Sequence, residues 1–549
     1  MKGRSVFVLV IAFFLALAAN TPNRAFALRA HEDEPSGPAQ MTLSEEMGDQ
    51  EDPESELEHI RIRADEEGAA SGELDDADSV VDNVIKNSKS EGRVKRSLSD
   101  RLGHKHTRVG QYFKGLPIVG GELIIHKNGR GGAYQVNGKY LSRIGASIEP
   151  SISAEEALRV GLDEQQGKPG LRASRNPSLV IYGKRLAFEY VLSHAGDNPG
   201  KWRYYVDAHS GRIIQRYNSI QYAAPGPGSY CTVTGRRNLG ENGRAVSMKG
   251  WEEETGKYYL YNLKNRWGVF DKAGRSWEEN ATANWLATDR SAVSCGYNLA
   301  RVQAWVKAVL GRNSFDGLGG FAKGFVHVGN NYVNAYWDGT AFNFGDGDGT
   351  SYAPLTSLDI VAHEYGHALT QHTSDLNYIN ESGALNESYS DIVGVLVEFH
   401  VQPDGRSAHP SASPGRADWL LGEDACLRVA ALRDMRNPKR YGQPSYYRGQ
   451  NWYFGRQDNG GVHTNSGVQN FAFYLLSEGG QGVNEGHPYN IAGLGVKAAG
   501  EIALRANMFY LTPTARYIDS RNAWISAAGD LGYPKATVAA VWDAVGVLP

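Results

Sequence analysis

Hydrophobic and polar positions divide the chain into stretches of different period. An unbroken apolar run over residues 6–19 follows Lys2 and Arg4 and leads to Ala25-Phe26-Ala27, small residues either side of a spacer. At 14 residues it falls short of the about 20 that a membrane span needs, so it predicts an export signal removed near Ala27 rather than an anchor. From His31 to about Asp78 acids crowd the chain, aromatics are scarce, and Pro35, Pro38 and Pro53 interrupt it. Such a stretch cannot bury much apolar surface, and disorder is predicted there. Between about Leu98 and Tyr222 the pattern turns strand-like, with residues 120–126 and 202–208 rich in β-branched and aromatic side chains. Pro225-Gly226-Pro227-Gly228 reads as a linker. Beyond it, turn-punctuated short strands give way to segments of helical period at 388–399, 468–476 and 498–505. The fold class predicted is α+β.

A chain of 549 residues exceeds one ordinary domain, so several units with their own cores are expected. Net charge is only −4 and the basic residues form no long stripe, which argues against a nucleic-acid partner. Arg93-Val94-Lys95-Arg96 is similar to a dibasic processing site, although short basic motifs of this kind are more often solvated clusters. Cys231, Cys295 and Cys426 show no C-x-x-C spacing, so neither a zinc knuckle nor a thioredoxin-like motif is present. In an oxidising compartment one pair can bridge and leave one thiol over, with all pairings open.

The chemistry concentrates at His363-Glu364-Tyr365-Gly366-His367. On a helix, positions i and i+4 share a face, so both imidazoles can grip one Zn²⁺ while Glu364 stands beside it as a base. Glu387, 20 residues beyond His367 on a second apolar-periodic segment, can return as a third ligand. Two His and one Glu leave a tetrahedral ion one ligand short, the mark of a catalytic rather than a structural zinc. Asp391, one turn after Glu387, can accept the second ring N–H of a ligating histidine and fix its tautomer.

With these residues stand Asn334-Ala335-Tyr336-Trp337, Gly345-Asp346-Gly347-Asp348-Gly349, Asp359, the run 380–387, and Asp458-Asn459-Gly460-Gly461-Val462-His463-Thr464-Asn465-Ser466-Gly467. In order and approximate spacing, from about residue 225 onward, the chain resembles the thermolysin family of secreted zinc metallopeptidases, the gluzincins. Residues 112–122 and 206–214 are similar to the propeptide of that family.

The resemblance implies a preproprotein: signal peptide 1–27, an acidic disordered leader 28–97, an inhibitory and folding-assisting propeptide 98–221, a β-rich lobe with the zinc helix 222–378, and an α-helical lobe 379–549. The activity implied is zinc-dependent neutral endopeptidase action on proteins and peptides, with cleavage before bulky apolar residues. One catalytic zinc and at least one structural calcium are implied, in a secreted monomer without a membrane anchor, bound by its own propeptide. An inactive adhesion relative and a peptidase limited to chain ends are the alternative readings. Glu364 is implied as general base, with Tyr378 and His463 as oxyanion donors and Asp458 orienting His463. Asn334, Ala335, Asn386 and Arg433 match positions that hold substrate backbone, and Leu355, Ile360 and Leu432 match an apolar pocket. Asp359, Glu398, Asp418 and Glu423 match a calcium site, where Leu420 replaces a glutamate of two-calcium members and offers only its carbonyl.

Overall fold

The structure is a computed structural model that describes residues 57–63, 77–142, 144–145, 147–168, 170–194, 200–218, 228–238, 243–272, 276–286, 288–406 and 415–549. The expected signal peptide and the Pro225–Pro227 part of the expected linker lie outside the described residues.

Residues 57–218 form a unit around a nine-stranded sheet. Its strands are β1 (Glu58–Arg63), β2 (Glu91–Ser99), β3 (Lys105–Phe113), β4 (Leu116–Lys127), β5 (Ala133–Tyr140), β6 (Arg172–Tyr182), β7 (Arg185–His194), β8 (Gly200–Asp207) and β9 (Ile213–Asn218). Helix α1 (Ala77–Asn87) lays Val81 and Ile85 on Val109, Leu123, Ile125 and Val136 of the sheet. Helix α2 (Ala154–Glu164) starts at a capping box, Ser153 accepting from the Glu156 backbone N–H while Glu156 accepts from that of Ser153. Strands β3 and β4 are joined through Lys114 and Gly115, both at positive φ (47° and 83°), the geometry a two-residue hairpin loop needs.

This unit corrects the expected leader at residues 57–63 and 77–97; its residues 28–56 and 64–76 lie outside the described residues. Disorder was predicted for 28–97, yet β1, α1 and β2 belong to the sheet: β1 pairs antiparallel with β5, Glu58 opposite Tyr140, and β2 with β3, Glu91 opposite Tyr112. The cause is local. Leu57, Ile60 and Ile62 carry enough apolar surface to cover a strand edge despite the acids around them. The basic cluster is likewise strand: Arg93 and Lys95 are exposed, but half-buried Arg96 donates to the His372 carbonyl (3.0 Å) and the Thr373 carbonyl.

The second unit has a β-rich first half. Strands β10 (Gly228–Arg236) and β11 (Ala245–Glu253) pair antiparallel in a five-stranded sheet. In a six-stranded sheet, β12 (Trp267–Asp271), β13 (Ala322–Val326), β14 (Ala335–Trp337) and β15 (Phe342–Phe344) run in the order β12-β13-β15-β14, with β14 at the edge. Helix α3 (Arg290–Trp305), capped by Asp289 accepting from Ala292 N–H, packs between this sheet and α4 (Leu358–Gln371). The second half is helical: α5 (Asn380–Val401), α6 (Gln457–Asn465), α7 (Gly467–Glu478), α8 (Val496–Arg505), α9 (Tyr517–Leu531) and α10 (Lys535–Ala544). One continuous core, from Val233 to Val547, spans both halves, whereas the first unit has separate cores of its own.

Candidate active site

Helix α4 is buried along its whole length from Leu358 to Thr370, and α5 from Ser382 to Glu398. Gly366 explains how close they come: a Cβ there would meet the Ser390 Cα at 2.6 Å. The glycine between the two histidines thus brings Glu387 and Asp391 of α5 against the face that carries His363 and His367.

His363 Nε2 and His367 Nε2 face one another at 3.1 Å, and Glu387 places Oε2 3.5 Å from the first and Oε1 3.3 Å from the second. The other ring nitrogens are tied back. His363 Nδ1 donates to Asp391 Oδ1 (2.8 Å), and His367 Nδ1 donates to Asn386 Oδ1 (2.9 Å), whose amide N–H₂ donates to the Leu376 carbonyl. With both Nδ1 atoms carrying the proton, both Nε2 lone pairs point at each other and at a carboxylate. That arrangement is repulsive unless a proton or a metal cation sits among them, and the carboxylate facing both nitrogens favours either. Ligands around tetrahedral zinc stand about 3.3 Å apart for bonds of about 2.0–2.1 Å, so the spacing and the N₂O donor set fit that ion.

Asp391 is held on all sides: Arg433 donates through Nε (2.8 Å) and Nη2 (2.5 Å), and Asn470 Nδ2 donates at 2.7 Å. Burial opposes its charge, but Arg433 and His363 hold its carboxyl below the usual range. Burial likewise opposes charge on Glu387, and His463, His367 and His363 together bring it well below. His367 is pushed up to about 9, against burial, chiefly by Glu387. Glu364, 1% exposed, is raised by burial; its Oε2 has no hydrogen-bond partner among the described residues.

On the opposite wall, His463 donates from Nδ1 to Asp458 Oδ1 (2.6 Å) and from its backbone N–H to Asp458 Oδ2 (3.0 Å). Its Nε2 lies 3.2 Å from the Tyr378 hydroxyl, which itself bonds Glu387 Oε1. Asp458, Asn459, Gly460 and Gly461 all sit at positive φ (54°, 49°, 86° and 76°), a left-handed turn strained at its two non-glycine residues. A Cβ on Gly461 would meet Tyr453 Cδ1 at 2.6 Å, so only glycine fits. The turn aims His463 at Glu387, its Nε2 3.4 Å from Oε1; the sequence pattern shows the glycines but not the strain.

The remaining expected residues fall into three groups. Ala335 lies on edge strand β14, with Asn334 preceding it, and the Trp337 backbone N–H reaches Glu364. Arg433 is buried, and its Nη1 has no partner among the described residues. Leu355, Ile360 and Leu432 are all buried in the shared core. Asn386 departs from expectation. Both ends of its amide are used on His367 and Leu376, so its side chain orients the His367 imidazole rather than facing a substrate.

Glu398, Glu423 and Asp424 bring carboxylate oxygens within 4.8 Å of one another. All four oxygens of Glu398 and Glu423 are buried without hydrogen-bond partners among the described residues, and burial, with repulsion from Asp359, Asp424 and Asp418 around them, pushes both carboxyls well up. Asp418 accepts from Leu420 N–H (2.7 Å) and is raised to about 6 by burial, while Asp359 accepts from Ser357 Oγ and Gly422 N–H. A nest of hard oxygen donors without enough N–H groups fits Ca²⁺. Asp424 was missed in the sequence, although it directly follows Glu423. The three cysteines are all unbridged.

Residues 234–371 match the model described as thermolysin metallopeptidase, catalytic domain, residues 374–547 its alpha-helical domain, and residues 90–140 the fungalysin/thermolysin propeptide motif. Thermolysin of Alicyclobacillus acidocaldarius subsp. acidocaldarius is 34% identical over 462 residues, 79% of this chain and 81% of that protein. Bacillolysin of Brevibacillus brevis is 32% identical over 517 residues, covering 86% and 89%. The precursor of protealysin from Serratia proteamaculans aligns with a TM-score of 0.42 at 27% identity, over 51% of this chain and 87% of that one. On the domain matches and the identity across most of its length, the chain belongs to the thermolysin family of metalloendopeptidases and is made with that family's propeptide.

Proposed function

We propose that the chain is an exported neutral endopeptidase that cuts internal peptide bonds before bulky apolar residues, with zinc held by His363, His367 and Glu387. The observation that carries this reading is the pair of Nε2 atoms 3.1 Å apart with both Nδ1 protons tied to oxygen acceptors. The ion supplies Lewis acidity, polarising a carbonyl and bringing the pKa of water to about 7.

The protein's own groups do the rest. An extended substrate adds alongside β14, whose outer edge offers backbone N–H and C=O groups, and Arg433 Nη1 donates to a substrate carbonyl. Leu355, Ile360 and Leu432 shape the pocket that takes the apolar side chain. Glu364 Oε2 takes the proton of the attacking water and passes it to the departing amine. The Tyr378 hydroxyl and His463 Nε2 donate to the oxyanion as it forms, while Asp458 keeps the imidazole oriented and charged. Asp391 and Asn386 act through the histidines they orient. Ca²⁺, held by Glu398, Glu423, Asp424, Asp418 and Asp359 with the Leu420 carbonyl, ties α5 to the following loop. We assign 1–27 to the signal peptide, and the propeptide to a folded unit beginning by residue 57 rather than 98.

Replacing Glu364 by Gln tests the assignment. Casein hydrolysis is expected to fall by at least a thousandfold with zinc content unchanged; undiminished turnover would refute the general-base role.

A further inference from the structure

The propeptide grips the helical lobe through a buried pair of imidazoles. His106 on β3 and His126 on β4 are 3% and 0% exposed, and their Nδ1 atoms lie 2.7 Å apart. Each ring also stacks on the enzyme: His106 on Phe509 (centroids 4.6 Å) and His126 on Tyr510 (4.5 Å).

The hydrogen-bond partners of the two rings fix their protons. His106 Nε2 lies 3.0 Å from Asp100 Oδ2, and a carboxylate only accepts, so that nitrogen carries a proton. His126 Nε2 lies 2.6 Å from Asn137 Oδ1; the Asn137 N–H₂ is used on the Tyr510 carbonyl (2.8 Å), and Gln135 also donates to the same Oδ1. His126 Nε2 therefore carries a proton too. If both rings were neutral, two lone pairs would face each other at 2.7 Å. One further proton between the Nδ1 atoms turns that contact into a hydrogen bond, and a second would set two N–H groups against each other.

The surrounding charges agree. Arg505 of the enzyme contacts both Asp100 (2.5 Å) and Asp530 (2.8 Å), leaving one negative charge for one imidazolium. Arg108, beside His126, shares the Glu122 carboxylate with half-exposed Lys95 and also donates to the Leu511 carbonyl. His104, Tyr134 and Tyr510 are the other titratable groups there, and they bond among themselves, Arg505 and Asp530.

We propose that one proton shared between His106 and His126 latches the propeptide onto the helical lobe, and that uptake of a second proton releases it. Burial disfavours charge on both rings; on His106 the hydrogen bond to Asp100 opposes it, and on His126 the neighbouring His106 adds to it. Undocked, both rings have an ordinary pKa of about 6.5, so docking releases one proton below that pH and takes one up above it: it is tightest near pH 6.5 and weakens, about tenfold per pH unit for one proton, as pH falls below that value or rises well above it. The inference goes beyond the catalytic assignment and does not rest on it.

The test uses the full chain, kept whole by Glu364→Gln; any self-cleavage, visible as a smaller species, would count against the base assignment and not against the latch. Hydrogen exchange, corrected for intrinsic rate, is followed in peptides covering 105–127 and 506–511 from pH 7.5 to 5. Protection is expected to fall about tenfold per pH unit below about 6.5. His126→Gln, whose amide can accept from His106 and donate to Asn137 without titrating, is expected to flatten that loss to under twofold. Protection unchanged down to pH 5 with the pair intact, or the same slope in His126→Gln, would overturn the proposal. Should that variant not fold, NMR of labelled histidines in the intact pair decides: three ring N–H protons at pH 7 support it, and two or four overturn it.

Discussion

Asn386 is a case in which type and spacing point one way and geometry another. Next to Glu387 it matches a substrate-holding position, but its Oδ1 anchors His367 Nδ1 and its N–H₂ the Leu376 carbonyl. Asn386→Ala is therefore expected to weaken zinc binding about 10–100-fold, as loss of such orienting partners does, with KM little changed. Chelator competition beside steady-state kinetics separates the two roles. Glu278, only 8% exposed and 3.8 Å from His327 Nε2, has its carboxyl raised to about 8 by burial and by Asp289. An unfolded glutamate titrates near 4.3, so the folded chain holds a proton that the unfolded chain loses, and stability falls as pH rises from about 4.3 to about 8, by up to about 1.4 kcal/mol per pH unit. Glu278→Gln keeps the shape without the charge. Its stabilising effect, read by urea unfolding of the Glu364→Gln chain, should be larger at pH 8 than at pH 5; equal effects would contradict the assignment. His363, His367, Glu387 and Asp391 were legible in the sequence because helical period alone puts each pair on one face. Asn386 and Asp424 were not, because an amide or an added carboxylate takes its role only from which neighbours surround it.

At the scale of elements, the crossing of α4 and α5 and the turn before His463 set the site. The crossing depends on Gly366 and the turn on Gly460 and Gly461. Gly461→Ala forces a Cβ against Tyr453 at a φ of 76°, and is expected to cost about 1–3 kcal/mol and to lower kcat more than zinc content, because His463 is displaced while the ligands are not. Kinetics with metal analysis checks it; loss of zinc in proportion to activity would speak against that role. Helices and their faces were readable from period. The strands β1 and β2 were not: a few apolar residues in an acidic setting fall below what composition can register, and they become strands only because β5 and β3 offer edges to pair with.

Across the whole molecule, the propeptide and the peptidase have separate cores, so the enzyme's core does not depend on the propeptide for its packing. The contact between them is polar and aromatic, running from Arg96 at the end of α4 to the imidazoles over Phe509 and Tyr510. Calcium belongs at this scale too, since Glu398 closes α5 and Glu423 lies beyond the 407–414 segment. Calcium chelation of the mature enzyme is expected to lower its unfolding temperature by several degrees, about what a loss of one to two kcal/mol does in a chain of this size, with recovery on calcium addition. Thermal unfolding with and without the ion measures it. The central claim is that side chains from two helices meet on one zinc ion, and anomalous diffraction at the zinc absorption edge tests it most directly. The account predicts a single strong peak bounded by His363 Nε2, His367 Nε2 and a Glu387 oxygen; a crystal of active enzyme with no peak there, or with Glu387 turned away from it, would contradict it.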